Sequence, residues 1–142
     1  MLVEKKNILQ FIPQRFPIVM IDNLLEQEGA LTVTDFRIVQ ENIFVRENEF
    51  QESGVFENIA QTAAAGAAWH SRNEKKSIGL NFIGAVNKLK IKKYPQTGDL
   101  LLTRTELITR VFNISLLTGR IFIENELIAE CELKVVSEEK TE

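Results

Sequence analysis

Val55-Phe56-Glu57-Asn58-Ile59-Ala60-Gln61-Thr62-Ala63-Ala64-Ala65-Gly66-Ala67-Ala68-Trp69-His70-Ser71 is the stretch that decides how the rest of the chain is read. It contains no proline, few β-branched residues and a great deal of alanine, the strongest helix former. Val55, Ile59, Ala63, Gly66 and Trp69 recur at helical spacing. The small residues from Ala63 to Ala68 give this helix a thin flank that another surface can approach closely. A helix with such a flank is suited to lie inside a curved sheet.

Outside this segment the chain reads mostly as strand. Pro13 and Pro17 push their predecessors away from helix, so Ile8–Met20 is an extended or turning lead-in. Ile18–Glu26 and Ala30–Gln40 read as two strands around a turn at Gly29. Leu31 and Val33 share one face but Phe36 and Ile38 take the other, which calls for a bulge near Asp35. After a charged loop, Arg72–Lys76, come a long strand Ser77–Tyr94, a turn Pro95–Asp99, and strands Leu100–Thr109 and Val111–Ile123. Asn125-Glu126 marks a tight hairpin turn. Leu127, Ala129, Cys131, Leu133 and Val135 then alternate with Glu130, Glu132 and Lys134, one face in the core and one in water. Two strands, one long helix and about four further strands point to an α+β fold of the hotdog kind, a curved antiparallel sheet wrapped around one central helix, while composition alone also permits other α+β folds.

Length and composition bound what such a fold can do. The chain has 142 residues, 44 % hydrophobic and 26 % charged, which predicts a single domain over 1–142 and excludes a disordered polymer. One Cys and one His exclude an intrachain disulfide and any pure Cys/His metal site within one subunit. No metal and no cofactor are expected. A net charge of −3 gives no general attraction to nucleic acid or to an acidic membrane. The uncharged stretch Asn58–Ser71 is too short and too rich in alanine to span a bilayer. The N-terminus has no basic region followed by an apolar run and a cleavage site, so a cytoplasmic setting is expected.

Four motifs in order resemble a known family. Ile12-Pro13-Gln14-Arg15-Phe16-Pro17-Ile18-Val19-Met20-Ile21-Asp22 resembles the opening of hotdog β-hydroxyacyl-[acyl carrier protein] dehydratases, Leu-Pro-His-Arg-Tyr-Pro, an apolar run, then Asp. Gly54-Val55-Phe56-Glu57-Asn58-Ile59-Ala60-Gln61 is similar to that family's helix start, Gly-Val, apolar residues, Glu-Ala-Leu-Ala-Gln. Val86-Asn87-Lys88-Leu89-Lys90-Ile91-Lys92-Lys93 with Gly98-Asp99-Leu100 resembles its basic strand and the turn after it, and Ala129-Glu130-Cys131-Glu132-Leu133 its closing strand. The resemblance implies an obligate dimer whose active site is built at the interface, acting on acyl chains held as thioesters of acyl carrier protein. It implies that a His takes the proton α to the thioester and a helix Glu protonates the departing β-hydroxyl. Here the pattern breaks. The family's first His falls in the region Arg46–Ser53, its second is Gln14, and the sole histidine is His70. Thirteen residues of helix put His70 about 20 Å from Glu57.

The candidate residues follow. Glu57, in the first turns of the helix, is the candidate acid/base; the structural alternative is a carboxylate that suits the helix dipole. A carboxyl desolvated in an acyl tunnel keeps its proton more tightly and serves as a general acid. N–H groups at Gly54 and Val55 are candidates for holding the thioester carbonyl as an oxyanion hole does. Gln61, four residues on, can bond Glu57 or merely be polar at the sheet edge, while Asn58 faces elsewhere. Glu49 is a candidate replacement base; otherwise Glu47, Glu49 and Glu52 form a solvated loop. Lys88, Lys90 and Lys92 share one strand face, either to steer an acidic carrier protein or to protect an exposed edge. His70 suits the helix end, and Cys131 is a buried, inert thiol.

The partners expected are therefore an acyl carrier protein or acyl-coenzyme A thioester and a second subunit. That subunit makes a homodimer, a higher oligomer of dimers, or a heterodimer with a related dehydratase. The leading function is dehydration or handling of β-hydroxyacyl thioesters in fatty-acid or polyene synthesis. One alternative is a hotdog thioesterase that uses the helix carboxylate. Another is a non-catalytic subunit that binds acyl carrier protein and completes the site of a His-bearing partner.

Overall fold

Where the alanine-rich segment predicts a helix, one runs unbroken, and strands pack along it. The computed structural model describes residues 1–73 and 81–137. A 3-10 helix, Lys5–Gln10, leads into β1 (Asn23–Glu28) and β2 (Leu31–Arg37). A small hairpin follows, β3 (Val45–Arg46) and β4 (Glu49–Phe50), and then the 22-residue α1 (Glu52–Asn73). The remaining strands are β5 (Asn81–Ile91), β6 (Leu100–Val111), β7 (Ile114–Ile123) and β8 (Glu126–Ser137). The main sheet has the order β1-β2-β6-β7-β8-β5, with every neighbouring pair antiparallel. This is the hotdog arrangement.

The thin flank of α1 does what its composition predicts. A Cβ on Gly66 would lie 2.0 Å from Thr32 Oγ1 and 2.8 Å from Thr32 Cβ, so only glycine lets the helix come this close to β2. On β7, a Cβ on Gly119 would lie 2.4 Å from Ile59 Cγ2. Val55 and Ile59 sit in a core with Phe50, Leu101, Ile121 and Leu133, all fully buried. At the other end Ala65 packs with Val3, Ile8, Ile12, Ile21 and Leu24, capped by Phe11 and Trp69.

Several boundaries shift, each for a stated reason. The first strand begins at Asn23, not Ile18, because residues 18–20 bond to α1 rather than to the sheet. The bulge near Asp35 is absent, and β2 pairs regularly with β6 from Leu31 to Arg37. The irregularity lies on β1 between Leu24 and Glu26. No bulge is needed because the helix-facing residues of β2 are Thr32, Thr34 and Phe36, and the two threonines are as buried as apolar residues. The β6–β7 turn is Phe112-Asn113, and the last hairpin turns at Glu124-Asn125, where φ is 48° and 68°. On β8 the alternation holds from Ala129 to Leu133, but a register shift opposite Ile121 and Phe122 turns Ile128 into the core and leaves Leu127 half-buried. Arg72 belongs to the helix, while residues 74–76 of the expected charged loop and Ser77–Leu80 of the expected strand lie outside the described residues.

Candidate functional site

The site is built where the lead-in segment crosses α1. Residues 18–20 do not pair with a strand, yet their backbone groups still require partners. Two helix side chains supply them. Gln61 accepts from Met20 N–H (2.6 Å) and donates to Ile18 O (2.8 Å), and Asn58 donates to Met20 O (2.8 Å). Both amides are fully buried. Gln61 also donates to Glu57 Oε2 at 3.0 Å, so the expected i, i+4 pair forms on the helix surface. Glu57 itself is only partly buried, at the margin of this network.

Asn58 turns away from Glu57 as expected, but into the sheet rather than to an idle position. Thr103 Oγ1 on β6 donates to Asn58 Oδ1 (2.5 Å), Thr62 Oγ1 donates to Asn58 O (2.8 Å), and Thr34 Oγ1 lies 2.7 Å from Thr62 Oγ1. Sequence reasoning passed over this residue. The available signal was a short amide on the helix with threonines at helix-facing positions of two strands.

The remaining candidates are placed as follows. Gly54 N–H and Val55 N–H both donate to Gln51 O, at 3.0 and 3.1 Å, and both residues are buried. Gly54 lies beneath Phe44 and Phe50, where a Cβ would come within 2.8 Å of both rings' side chains. These two N–H groups take part in starting the helix. Glu49 is not part of a loose loop. Glu47 and Asn48, both at positive φ, form the tight turn of the β3–β4 hairpin, and Glu49 pairs with Arg46 and bridges to Gln96. Among the described residues no hydrogen bond or ion pair joins Glu49 to Glu57. His70 lies in the last turn of α1 on an exposed position, away from Glu57.

The lysines need a correction of geometry. A register shift between Asn87 and Lys90, with Lys88 at φ 55°, breaks the alternation, so Lys88 does not stand in simple i, i+2 relation to Lys90. The bulge keeps Lys88 exposed, and Lys90 and Lys92 are exposed beyond it. β5 is an edge strand, and β8 sets acids against its lysines: Lys88 lies 3.6 Å from Glu132, and Lys90 is in register with Glu130. Glu130 itself lies 3.7 Å from Arg120, so the charge offset falls chiefly on Lys88. Burial, and to a lesser degree Glu132, push the Cys131 thiol up to about 11, as an inert thiol requires. Among the described residues no three His, Cys, Asp or Glu side chains gather as a metal site would need, and no helix is long and apolar enough to cross a membrane.

Comparison with known proteins agrees with this architecture. Residues 6–142 match the ApeP-like family, described as ApeP dehydratase. The chain is 31 % identical over 140 residues to the 3-hydroxyacyl-[acyl-carrier-protein] dehydratase FabZ of Natranaerobius thermophilus, covering 94 % of this chain and 96 % of that one. It is 26 % identical over 141 residues to the FabZ of Thiobacillus denitrificans, covering 95 % and 97 %. Its fold superposes on a chain of the dehydratase heterocomplex ApeI:P from Xenorhabdus doucetiae with a TM-score of 0.85 at 13 % identity, covering 94 % and 91 %.

Proposed function

The chain belongs to the ApeP-like dehydratase family, and on that premise we propose that it works on 3-hydroxyacyl thioesters of acyl carrier protein, with Glu57 as proton donor. Dehydration breaks the α C–H and β C–O bonds, forms the 2-enoyl thioester and releases water. The leaving hydroxyl needs a proton, and a positioned carboxyl supplies one at a typical gain of about 10²–10⁴-fold. The observation that carries the proposal is the Glu57–Gln61 pair: a carboxyl at the margin of a buried network, held by an amide that the backbone of residues 18–20 fixes.

The α proton needs a base, and the only histidine is His70, at the far end of the helix. We assign that role to a second subunit, a related dehydratase that brings its own His. The resemblance to a chain from a solved dehydratase heterocomplex supports a mixed dimer over a homodimer. Lys90 and Lys92 at the β5 edge are the proposed contacts for an acidic carrier, with Lys88 contributing less because of Glu132. A cytoplasmic setting is part of the same proposal.

The test is hydration of a 2-enoyl thioester and dehydration of the 3-hydroxyacyl thioester, by the chain alone and mixed with candidate dehydratases of the same cell. Activity confined to the mixture, lost about a hundredfold or more in Glu57→Gln, is the expected result. Unchanged activity in Glu57→Gln overturns the assignment. Release of free thiol without enoyl product would replace dehydration by thioester hydrolysis.

A further inference from the structure

Backbone groups cannot exchange donor and acceptor roles, and that fact orients the whole network. Met20 N–H can only donate, so the Gln61 atom facing it is the oxygen. Ile18 O can only accept, so the other Gln61 atom is the nitrogen, and the nitrogen is what reaches Glu57 Oε2. Met20 O can only accept, so Asn58 turns its nitrogen to it and its oxygen to Thr103, whose hydroxyl must then be the donor. The result is two directional runs that meet at the Met20 backbone: Thr103 hydroxyl to Asn58 amide to Met20 C=O on one side of its Cα, and Met20 N–H to Gln61 amide to Glu57 on the other. Side-chain amides are usually ambiguous in orientation; here three backbone atoms remove the ambiguity. Asn58, Gln61, Thr62, Thr34 and Thr103 are all fully buried, so water does not substitute for a missing member.

We propose that Asn58 and Thr103 are positioning residues for Glu57, acting by fixing the Met20 backbone, whose C=O Asn58 holds and whose N–H in turn fixes the Gln61 amide. They fix which carboxyl oxygen does what. Oε2 faces a permanent donor and stays an acceptor, which leaves Oε1 to carry the proton that is transferred. The branch from Thr34 through Thr62 to Asn58 O holds the same residue from its backbone side. This inference rests on the reading of Glu57 as proton donor.

The experiment uses the full chain, with its partner dehydratase where turnover needs one, and a 2-enoyl thioester of acyl carrier protein. Asn58→Ala, Thr103→Val and Thr103→Ser are each made alone and together with Glu57→Gln. Three quantities are read: kcat and KM for hydration, and the exchange rate of the Met20 amide proton by NMR. Asn58→Ala and Thr103→Val are expected to lower kcat about ten- to a hundredfold with KM within about twofold. Thr103→Ser, which keeps the hydroxyl, should stay within about threefold of the parent. In the Glu57→Gln background the same changes should cost less than about twofold, because the group they position is gone. Met20 N–H should exchange about tenfold faster or more in Asn58→Ala and Thr103→Val. An equal proportional loss with and without Glu57, a loss confined to KM, or unchanged Met20 exchange would overturn the proposal while leaving Glu57 as the acid. Normal turnover by Glu57→Gln would remove the functional reading and this proposal together. Should Thr103→Val not fold, Thr103→Ala gives the same comparison.

Discussion

Gln61→Glu turns the geometry of the site into a pH titration. The side chain keeps its shape, and one oxygen still accepts from Met20 N–H, which lies 2.6 Å from the present Gln61 oxygen. The other atom changes from a donor into an oxygen that faces two acceptors, Ile18 O at 2.8 Å and Glu57 Oε2 at 3.0 Å. Ionised, the introduced carboxyl meets no donor there, and it is fully buried. Protonated, its O–H serves one of the two acceptors. The folded state therefore holds the proton, so the introduced group's folded pKa lies above its unfolded value of about 4.3. The sign follows by linkage. Stability is retained below about pH 4 and is lost progressively as pH rises toward the folded pKa. Each unit of upward shift costs about 1.4 kcal/mol, and buried carboxyls shift by roughly two to four units, so about 3–5 kcal/mol is lost by pH 8. A further ~1 kcal/mol for the missing N–H bond does not depend on pH. Against a typical total of about 5–15 kcal/mol, the variant approaches unfolding at pH 8. Urea unfolding between pH 4.5 and 8, for parent and variant, measures the difference. It should widen with pH, whereas Gln61→Met should show a constant deficit. A Gln61→Glu deficit that is flat with pH would refute the orientation assigned to the Gln61 amide.

Other parts of the structure set further expected outcomes. Gly66→Ala gains about 1 kcal/mol in helix propensity but forces α1 off Thr32, whose Cβ no rotation can move; overpacking of about 1–3 kcal/mol and strain on the adjacent Thr34–Thr62 bond leave a net loss in denaturant titrations, relieved in part by Thr32→Ala. Cys131, pushed up to about 11 from 9.0, should resist thiol reagents at pH 8 until urea unfolds the chain. Because its folded pKa is raised, stability should be full below about pH 9 and fall by roughly 2–3 kcal/mol as pH approaches 11, an effect absent in Cys131→Ala. Lys88→Ala should change stability by less than about 1 kcal/mol, since its ion pair with Glu132 is largely exposed. Lys90→Glu with Lys92→Glu should raise KM for the carrier-protein thioester at low salt but not for the coenzyme A thioester.

The helix was legible because alanine content and small-residue spacing are local signals, and the last strand because most of its length alternates. The second strand misled because its core-facing positions are Thr32 and Thr34. A pattern search that places threonine in water sees the apolar residues change face and invents a bulge. Those hydroxyls are inside because α1 brings Thr62 and Asn58 to meet the sheet, with Thr34 on Thr62 and Thr103 on Asn58, and such pairings span 28 and 45 residues of chain. The Glu57–Gln61 pair needed only helix periodicity and was readable. The exclusion of Ile18–Asp22 from the sheet was not readable, because an apolar extended run looks the same whether a strand or a helix side chain satisfies its backbone. The bonding of the Gly54 and Val55 N–H groups was unreadable for a related reason: which N–H groups a helix start engages depends on the preceding carbonyl, here Gln51 O.

The use of helix amides in place of a neighbouring strand has a consequence for the site. Had residues 18–20 continued β1, their position would follow the sheet, and Glu57 would stand beside them only as closely as helix–sheet packing allowed. Instead Met20 N–H and C=O and Ile18 O are gripped by side chains on the same two turns of α1 that carry Glu57. The carboxyl, its amide partner and the adjoining backbone then form a unit held first by α1's own side chains and tuned by its contacts with β2 and β6. The Asn58–Thr103 and Thr62–Thr34 hydrogen bonds tie it to β6 and β2, beside the close packing of Ile59 on Gly119 and of Gly66 on Thr32. Under the proposed function, a half-site preformed in this way asks little of a second subunit: the partner would bring a base and a wall for the acyl chain, not order Glu57. Preorganisation of that kind favours a division of labour between unlike subunits, because each half can be fixed by its own chain before they meet. It also predicts that Glu57 keeps its bond to Gln61 in the isolated chain, so the Gln61 side-chain N–H₂ protons should stay protected from exchange with or without the partner. Rapid exchange in the isolated chain, slowed only by the partner, would mean that the dimer builds the site rather than completing it.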